Sequence, residues 1–368
     1  MPRANTPKQG TSTIQLHVNE MANIISTYIE KSQAVKMEAK YFSPFMLWGP
    51  PGVGKSQSLI SIKKNVEKAT GKKVVITDVR LLLFNPVDLR GIPVPDAAKE
   101  FAIWLKPQIF NMDPAEDIIN ILMMDEISAA PPSVQAASYQ ITLDRKVGEH
   151  KLPDNCYIIC AGNRVQDKSV AYKMPKALAN RLVHFDIATD LDDWKLWAMN
   201  NGIDQSIIGF LNFAPSKLYM FDPTSDDNAF PTPRSWERAS SFLKLFGSLD
   251  AAFDCIAGSI GLGVAGEFKR YCKVYTKIPD VDKILKGEKV EYVDEPDINY
   301  ALSSALCAKA ANASIKEIEN IINYIDGMRE EYSVLTMKDM MLLEGFKTKI
   351  LKLPAALKWT RNHKNLIK

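Results

Sequence analysis

The residues Gly49-Pro50-Pro51-Gly52-Val53-Gly54-Lys55-Ser56 satisfy G-x-x-x-x-G-K-[ST] at every fixed position. This order of residue types suits a nucleotide phosphate: glycines allow a tight turn with inward N–H groups, Lys55 supplies a cation for the β and γ phosphates, and Ser56 offers a hydroxyl to Mg²⁺. Gln57 completes the segment expected to contact nucleotide. A ligand-free glycine turn is the alternative, and context argues against it. Pro44-Phe45-Met46-Leu47-Trp48 reads as a short buried strand before the loop, and Ser58 to Lys68 has helical periodicity ending near Gly71.

Further along, the apolar run from Ile118 to Met124 delivers Asp125-Glu126 at its carboxyl end, where open α/β sheets bind their ligands. Asp125 would hold Mg²⁺ directly or through water, and Glu126 would polarise the water that attacks the γ phosphate. Acids ending a strand can also merely cap the next helix, but a phosphate loop upstream favours the chemical role. Asn163 follows the apolar strand Cys156 to Ala161; its neutral amide can orient water without competing for metal, although Gly162-Asn163 is also common turn chemistry. Arg181, near the end of the helical stretch Pro175 to Asn180, is placed to project from the side of the domain, from where an arginine can reach a neighbouring subunit's γ phosphate; on local grounds alone a surface salt bridge is the stronger reading. Arg234, after the rigid turn Pro231-Thr232-Pro233, could sense nucleotide from a second domain or simply pack at a helix start.

These groups need a scaffold. Five near-continuous apolar segments, the one before the loop together with Val74 to Val79, Ile118 to Met124, Cys156 to Ala161 and Leu182 to Ile187, alternate with helical stretches such as Ser133 to Leu143. That pattern predicts strands buried on both faces of a parallel sheet. Ile14 to Met37 has apolar residues near helical spacing and is expected to pack as one helix against this core, after about a dozen polar, disordered residues. Two short segments interrupt the alternation and look like protrusions from the core: Gly91 to Leu105, which could form a hairpin, and Arg145 to Leu152. A domain boundary falls near Thr189, beyond which helical patterns dominate, with turn-rich segments from Asp222 to Pro233 and from Ile278 to Pro296. The expected divisions are 1–40, 41–190, 191–275 and 276–368.

The chain of 368 residues, 46% hydrophobic, is long enough for two or three domains with cores. No segment approaches the roughly eighteen apolar residues of a membrane span, and the opening residues lack a signal peptide's apolar core, so a cytoplasmic protein is expected. Five cysteines without C-x-x-C spacing fit reduced, buried thiols, with Cys156 and Cys160 packing inside a strand. A net charge of +3 is too small to imply nucleic-acid binding. Its distribution is uneven, however: Lys347, Lys349, Lys352, Lys358, Arg361, Lys364 and Lys368 follow Glu344 without an intervening acid, as a solvated face or a polyanion-binding tail.

In this order the loop, Asp125-Glu126, Asn163, Arg181 and Arg234 resemble the AAA+ ATPases, specifically the MoxR group within the helix-2-insert clade. Asp125-Glu126-Ile127-Ser128-Ala129-Ala130-Pro131-Pro132-Ser133-Val134-Gln135 resembles that group's D-E-I-N-R-A-P-P-x-x-Q, Asp88-Leu89-Arg90-Gly91 its D-[IL]-x-G turn, and Thr232-Pro233-Arg234 the S-P-R of sensor 2. Ser128 and Ala129 depart from the usual asparagine and arginine, and 246–368 departs from the usual lid sequence. The resemblance spans roughly Phe45 to Trp236.

It implies a P-loop NTPase sheet of order 5-1-4-3-2, doubly wound, followed by an α-helical lid and a helical C-terminal region. It also implies a ring, usually hexameric, with ATP between subunits. Asn163 becomes sensor 1 and Arg181 a finger acting in trans, while the two hairpins become the helix-2 insert and the pre-sensor-1 hairpin, facing pore or substrate. A protein client and a von Willebrand factor A-domain partner are implied as well. A nucleic-acid translocase on the same ATPase is the alternative function, and a nucleotide-gated scaffold with little turnover is another.

Overall fold

The computed structural model describes residues 13–164, 167, 172, 174–275, 277–343, 345–350 and 353–363. The expected disordered start, and Lys352, Lys364 and Lys368 of the basic tail, lie outside them. One compact unit holds the described residues up to Thr189 together with Asp222–Ser225, and the other holds Asp190–Phe221 and those from Asp226 onward.

The first unit is built on a parallel sheet of β1 (Ile14–His17), β2 (Phe45–Trp48), β3 (Lys73–Arg80), β6 (Ile118–Asp125), β9 (Cys156–Gly162) and β10 (Val183–Ala188), in the order β1-β10-β2-β9-β6-β3. Between β3 and β6 the chain forms the separate hairpin of β4 (Ile92–Pro95) and β5 (Ala102–Leu105), and before β9 that of β7 (Lys146–Val147) and β8 (His150–Lys151). Leaving out β1, the order is the expected 5-1-4-3-2. Central strands are apolar on both faces because both are covered: β9 is buried throughout, and β6 is buried except at its two ends.

Helices α1 (Val18–Ala34), α2 (Ser58–Thr70), α3 (Pro86–Arg90), α4 (Pro132–Asp144) and α5 (Lys176–Ala179) alternate with the strands. The segment expected to be one helix from Ile14 to Met37 is therefore a strand followed by a shorter helix. Ile14–His17 adds to the open edge of β10, whose backbone groups would otherwise lack partners on that side, and this pairing outweighs a helical spacing that Leu16 shares with either reading.

The two hairpins exist but differ in role. β4–β5 leaves Ile92, Phe101, Ile103 and Leu105 exposed. In the second hairpin Val147 is fully buried, and a His150 ring nitrogen lies 2.6 Å from the Trp104 carbonyl oxygen, so it braces the first. Arg145 does not face outward as part of a substrate-facing protrusion: its guanidinium donates to the carbonyls of Pro153 (3.1 Å) and Cys156 (2.7 Å).

The second unit is helical. Its first half comprises α6 (Leu191–Asn200), α7 (Gln205–Phe213), α8 (Pro233–Phe246), α9 (Leu249–Ile260) and α10 (Leu262–Tyr275), around Phe210, Trp236 and Phe268. Its second comprises α11 (Val281–Lys286), α12 (Pro296–Asn312), α13 (Ile315–Ile325), α14 (Glu330–Met341), α15 (Phe346–Ile350) and α16 (Pro354–Asn362), around Ile318, Ile322 and Trp359. α12 serves both cores, through Ala301 on one side and Leu302 and Leu306 on the other. A buried ion pair, Lys195 Nζ to Asp339 Oδ1 at 2.7 Å, ties α6 to α14. The expected loop from Ile278 to Pro296 contains α11, a helix too short for periodicity to reveal, started by the Asp280 side chain and ended at Gly287.

Cys156, Cys160 and Cys307 are buried free thiols, whereas Cys255 is exposed, against the expectation for all five. Burial pushes Cys156 and Cys160 up to about 12, which keeps them protonated and inert. Among the described residues no helix is long and apolar enough to cross a membrane.

Candidate nucleotide-binding site

β2 ends at Trp48, and the next nine residues form the loop that enters α2. Gly52 and Gly54 hold φ values of 81° and 101°, where a side chain would be strained. The N–H groups of Gly52, Val53, Gly54 and Ser56 have no acceptor among the described residues. Such a set of unclaimed donors matches the oxygen-rich surface of a polyphosphate. Lys55 Nζ donates to the carbonyls of Gly49 and Pro50 and, at 3.1 Å, to Asn163 Oδ1. The ammonium thus joins the loop to the residue after β9.

Ser56 Oγ donates to Asp125 Oδ2 at 2.7 Å. A hydroxyl and a carboxylate side by side are the hard oxygen donors that suit Mg²⁺, which keeps its remaining positions for water and phosphate. Asp125 closes β6, and Glu126 follows at φ 58°, an unusual backbone for a residue with a side chain. The turn is held on several sides. Glu126 N–H donates to Asp125 Oδ1 (2.8 Å), its carbonyl accepts from Ala129 and Ala130 (3.0 and 3.1 Å), and Ile127 N–H donates to the Ala161 carbonyl on β9 (3.0 Å). Nearby on β3, burial and then the Asp125 charge push the Asp78 carboxyl up.

One residue of this site was legible only as a departure from a motif. Ser128 Oγ accepts the Asn163 backbone N–H at 2.9 Å, and its carbonyl accepts from Tyr172 at 2.6 Å. A Cβ on Gly162 would come within 2.6 Å of that hydroxyl, so the glycine is what lets the serine approach. The acidic turn and the Asn163 loop are therefore fastened together. A small hydroxyl residue two positions after Asp-Glu is the only signal, and by itself it says little.

Sequence reading placed Arg181 near a helix end; it lies in the turn after α5, exposed, with its backbone N–H bonded to Leu178 and no ion pair among the described residues. Arg234 belongs to the other unit. It is exposed in the first turn of α8, whose start is fixed by reciprocal bonds between Thr232 and Ser235. Gln57 is exposed at the entry to α2. The structure thus brings together the loop, Ser56, Asp125 and Asn163, with Glu126 next to Asp125, and leaves the two arginines on elements of their own.

No protein-family model matches the chain, and no curated protein matches it. Among solved structures it is similar to Caenorhabditis elegans PCH-2 (12% identity over 78% of this chain and 68% of that one, TM-score 0.34). It is also similar to a mutant of Thermotoga maritima RuvB (14%, 74% and 76%, TM-score 0.39) and to Aeropyrum pernix ORC2 (12%, 97% and 89%, TM-score 0.34). At these values no activity, substrate or partner passes from them to this chain. Its own strand order, with the glycine loop after the central strand β2 and the acidic pair at the end of β6, gives the chain a doubly wound P-loop NTPase fold, followed by a helical unit.

Proposed function

We propose that this chain is a Mg²⁺-dependent ATPase of the AAA+ type, and within it of the MoxR group, acting as a ring of its own copies. The observation that carries this reading is the convergence at the glycine loop: Ser56 against Asp125, and Lys55 against Asn163, at the carboxyl ends of adjoining strands. The loop N–H groups and Lys55 would hold the β and γ phosphates. Mg²⁺, held by Ser56 and Asp125, would neutralise charge on the phosphate oxygens. Glu126 would accept the proton of the attacking water, and Asn163 would orient that water. Arg181 would reach the γ phosphate bound by a neighbouring copy, and Arg234 would respond to nucleotide from the helical unit.

The ring is proposed as a hexamer that uses hydrolysis to remodel a client protein with a von Willebrand factor A-domain partner. These points rest on the motif resemblance alone. The exposed apolar hairpin β4–β5 is the surface we assign to client contact. A nucleic-acid motor is less well supported, because the basic run after Glu344 is its only direct support.

Subunit mixing tests the reading. Rings of Arg181→Ala alone should lose about 10³-fold in turnover. Mixing them with Glu126→Gln subunits, which are inactive but carry an intact Arg181, should restore activity at the Arg181→Ala sites. Absence of recovery at every mixing ratio would count against action in trans, and a purified chain that neither binds nor hydrolyses Mg-ATP would overturn the whole reading.

A further inference from the structure

Trp48, the residue before the loop, and Ala179, two residues before Arg181, are joined through a single side chain. Trp48 Nε1 lies 2.8 Å from His184 Nδ1, and His184 Nε2 lies 2.7 Å from the Ala179 carbonyl oxygen. Indole N–H can only donate, so Nδ1 must accept; Nε2 then carries the proton and donates to the carbonyl. The imidazole is neutral, in one tautomer, with both nitrogens engaged. Its ring also lies nearly parallel to the indole, with centroids 6.0 Å apart and 11° between planes. Two residues along β10, Asp186 stands opposite Trp48 in register and 3.1 Å from Arg164 Nε, which follows Asn163. Burial raises the Asp186 carboxyl and Arg164 partly offsets it, so this second link is an ion pair in a partly dry setting. A hydrogen-bonded link therefore runs from the root of the phosphate loop, through His184 on β10, to the turn before Arg181, and a separate ion pair ties Arg164, next to Asn163, to the same strand.

We propose that His184 is a positioning residue for Arg181: it holds the α5 turn in a fixed relation to the root of the loop, so that the nucleotide state of one subunit sets the finger presented to the next. The proposal rests on the assignment of Arg181 as a finger in trans. Its special content is that His184 serves the neighbour's site and not its own.

The test uses His184→Phe, which keeps a flat ring against Trp48 and removes both hydrogen bonds. Pure His184→Phe rings should turn over about 10- to 100-fold more slowly, the range expected for a finger displaced by an ångström or less. Affinity for a fluorescent ATP analogue should stay within about twofold. Mixed with excess Glu126→Gln subunits, each His184→Phe site faces an intact Arg181 and should regain the turnover of a wild-type site in the same mixture. Trp48→Phe, which keeps an aromatic ring but removes the N–H donor along with part of the indole, should give the same rescuable defect and covers the case in which the histidine variant fails to fold. If Arg181→Ala is rescued in such mixtures and neither His184→Phe nor Trp48→Phe is, the positioning role is wrong while the finger stands. If Arg181→Ala is not rescued either, the trans assignment falls and this inference falls with it.

Discussion

Glu126 offers a test in which stability and activity should move in opposite directions. At φ 58° its backbone occupies the left-handed region, which costs a residue bearing a Cβ roughly 1–2 kcal/mol relative to the right-handed one. Glycine has no such cost there, but it loosens the unfolded chain by roughly 0.4–1 kcal/mol. Glu126→Gly should therefore gain about 0.5–1 kcal/mol of net stability. For a cooperative unit of this size that is a rise of roughly 1–4 °C in melting temperature. Glu126→Gln keeps the strain and should melt with the wild type. If the carboxylate is the base, both variants lose about 10²–10⁴-fold in turnover, which at 1.36 kcal/mol per decade is roughly 2.7–5.4 kcal/mol of barrier. Phosphate release under saturating Mg-ATP and nucleotide-free calorimetry read the two quantities separately. A glutamine variant within threefold of wild-type turnover would remove Glu126 from the chemistry. A glycine variant melting below the wild type would show that the backbone there is not strained against its side chain.

Two further perturbations concern the helical unit. Asp339→Ala should destabilise by about 3–5 kcal/mol, because it leaves the buried Lys195 ammonium with only the exposed Asp192 at 3.0 Å, whereas Lys195→Met with Asp339→Leu should unfold at higher denaturant than the single variant. Burial alone would raise the Asp326 carboxyl, yet hydrogen bonds from Asn362, the Lys358 ammonium and the adjacent His363 hold it below the ordinary value. A depressed carboxyl stabilises fully above its unfolded pKa of about 3.9 and loses that contribution as pH falls through the folded value; the urea midpoint of Asp326→Asn should therefore drop less than the wild type's between pH 6 and pH 2.5.

How much of this was legible depended on where each signal resides in the chain. The loop and the five core strands could be read because their cause is local: a fixed spacing of glycines and a lysine, and apolar runs that only a doubly covered sheet explains; the order of those strands came from the motif resemblance, since no local signal carries it. β1 could not be read, since its four residues gain their reason from the open edge of β10, more than 160 residues away in sequence. α11 was missed because six residues cannot display a helical period, although Asp280 and Gly287 mark its ends. Arg145 looked like part of a protruding basic hairpin, and only the folded chain shows its guanidinium turned inward onto two carbonyls. Ser128 and His184 are the instructive failures at the site. Each is an ordinary residue whose importance comes from what another strand places beside it.

The shortness of β2 explains why those two residues matter. It has four residues, paired along its length with β10 on one side and β9 on the other. Its successor Gly49 is confined as well, with its N–H on the Gly162 carbonyl at 3.3 Å and a position where an added Cβ would lie 3.0 Å from the Ile187 carbonyl oxygen. A loop rooted in so pinned a strand cannot take up a change of ligand by sliding its base. Close-packed, hydrogen-bonded elements transmit small displacements rather than absorb them. The displacement must then leave through the neighbours: toward β9, where Ser128 joins the acidic turn to Asn163, and toward β10, where His184 joins the root of the loop to the turn before Arg181. The first route stays within the subunit's own site and the second leads to the next copy, so a defect in Ser128 should resist rescue by mixed subunits while a defect in His184 should yield to it.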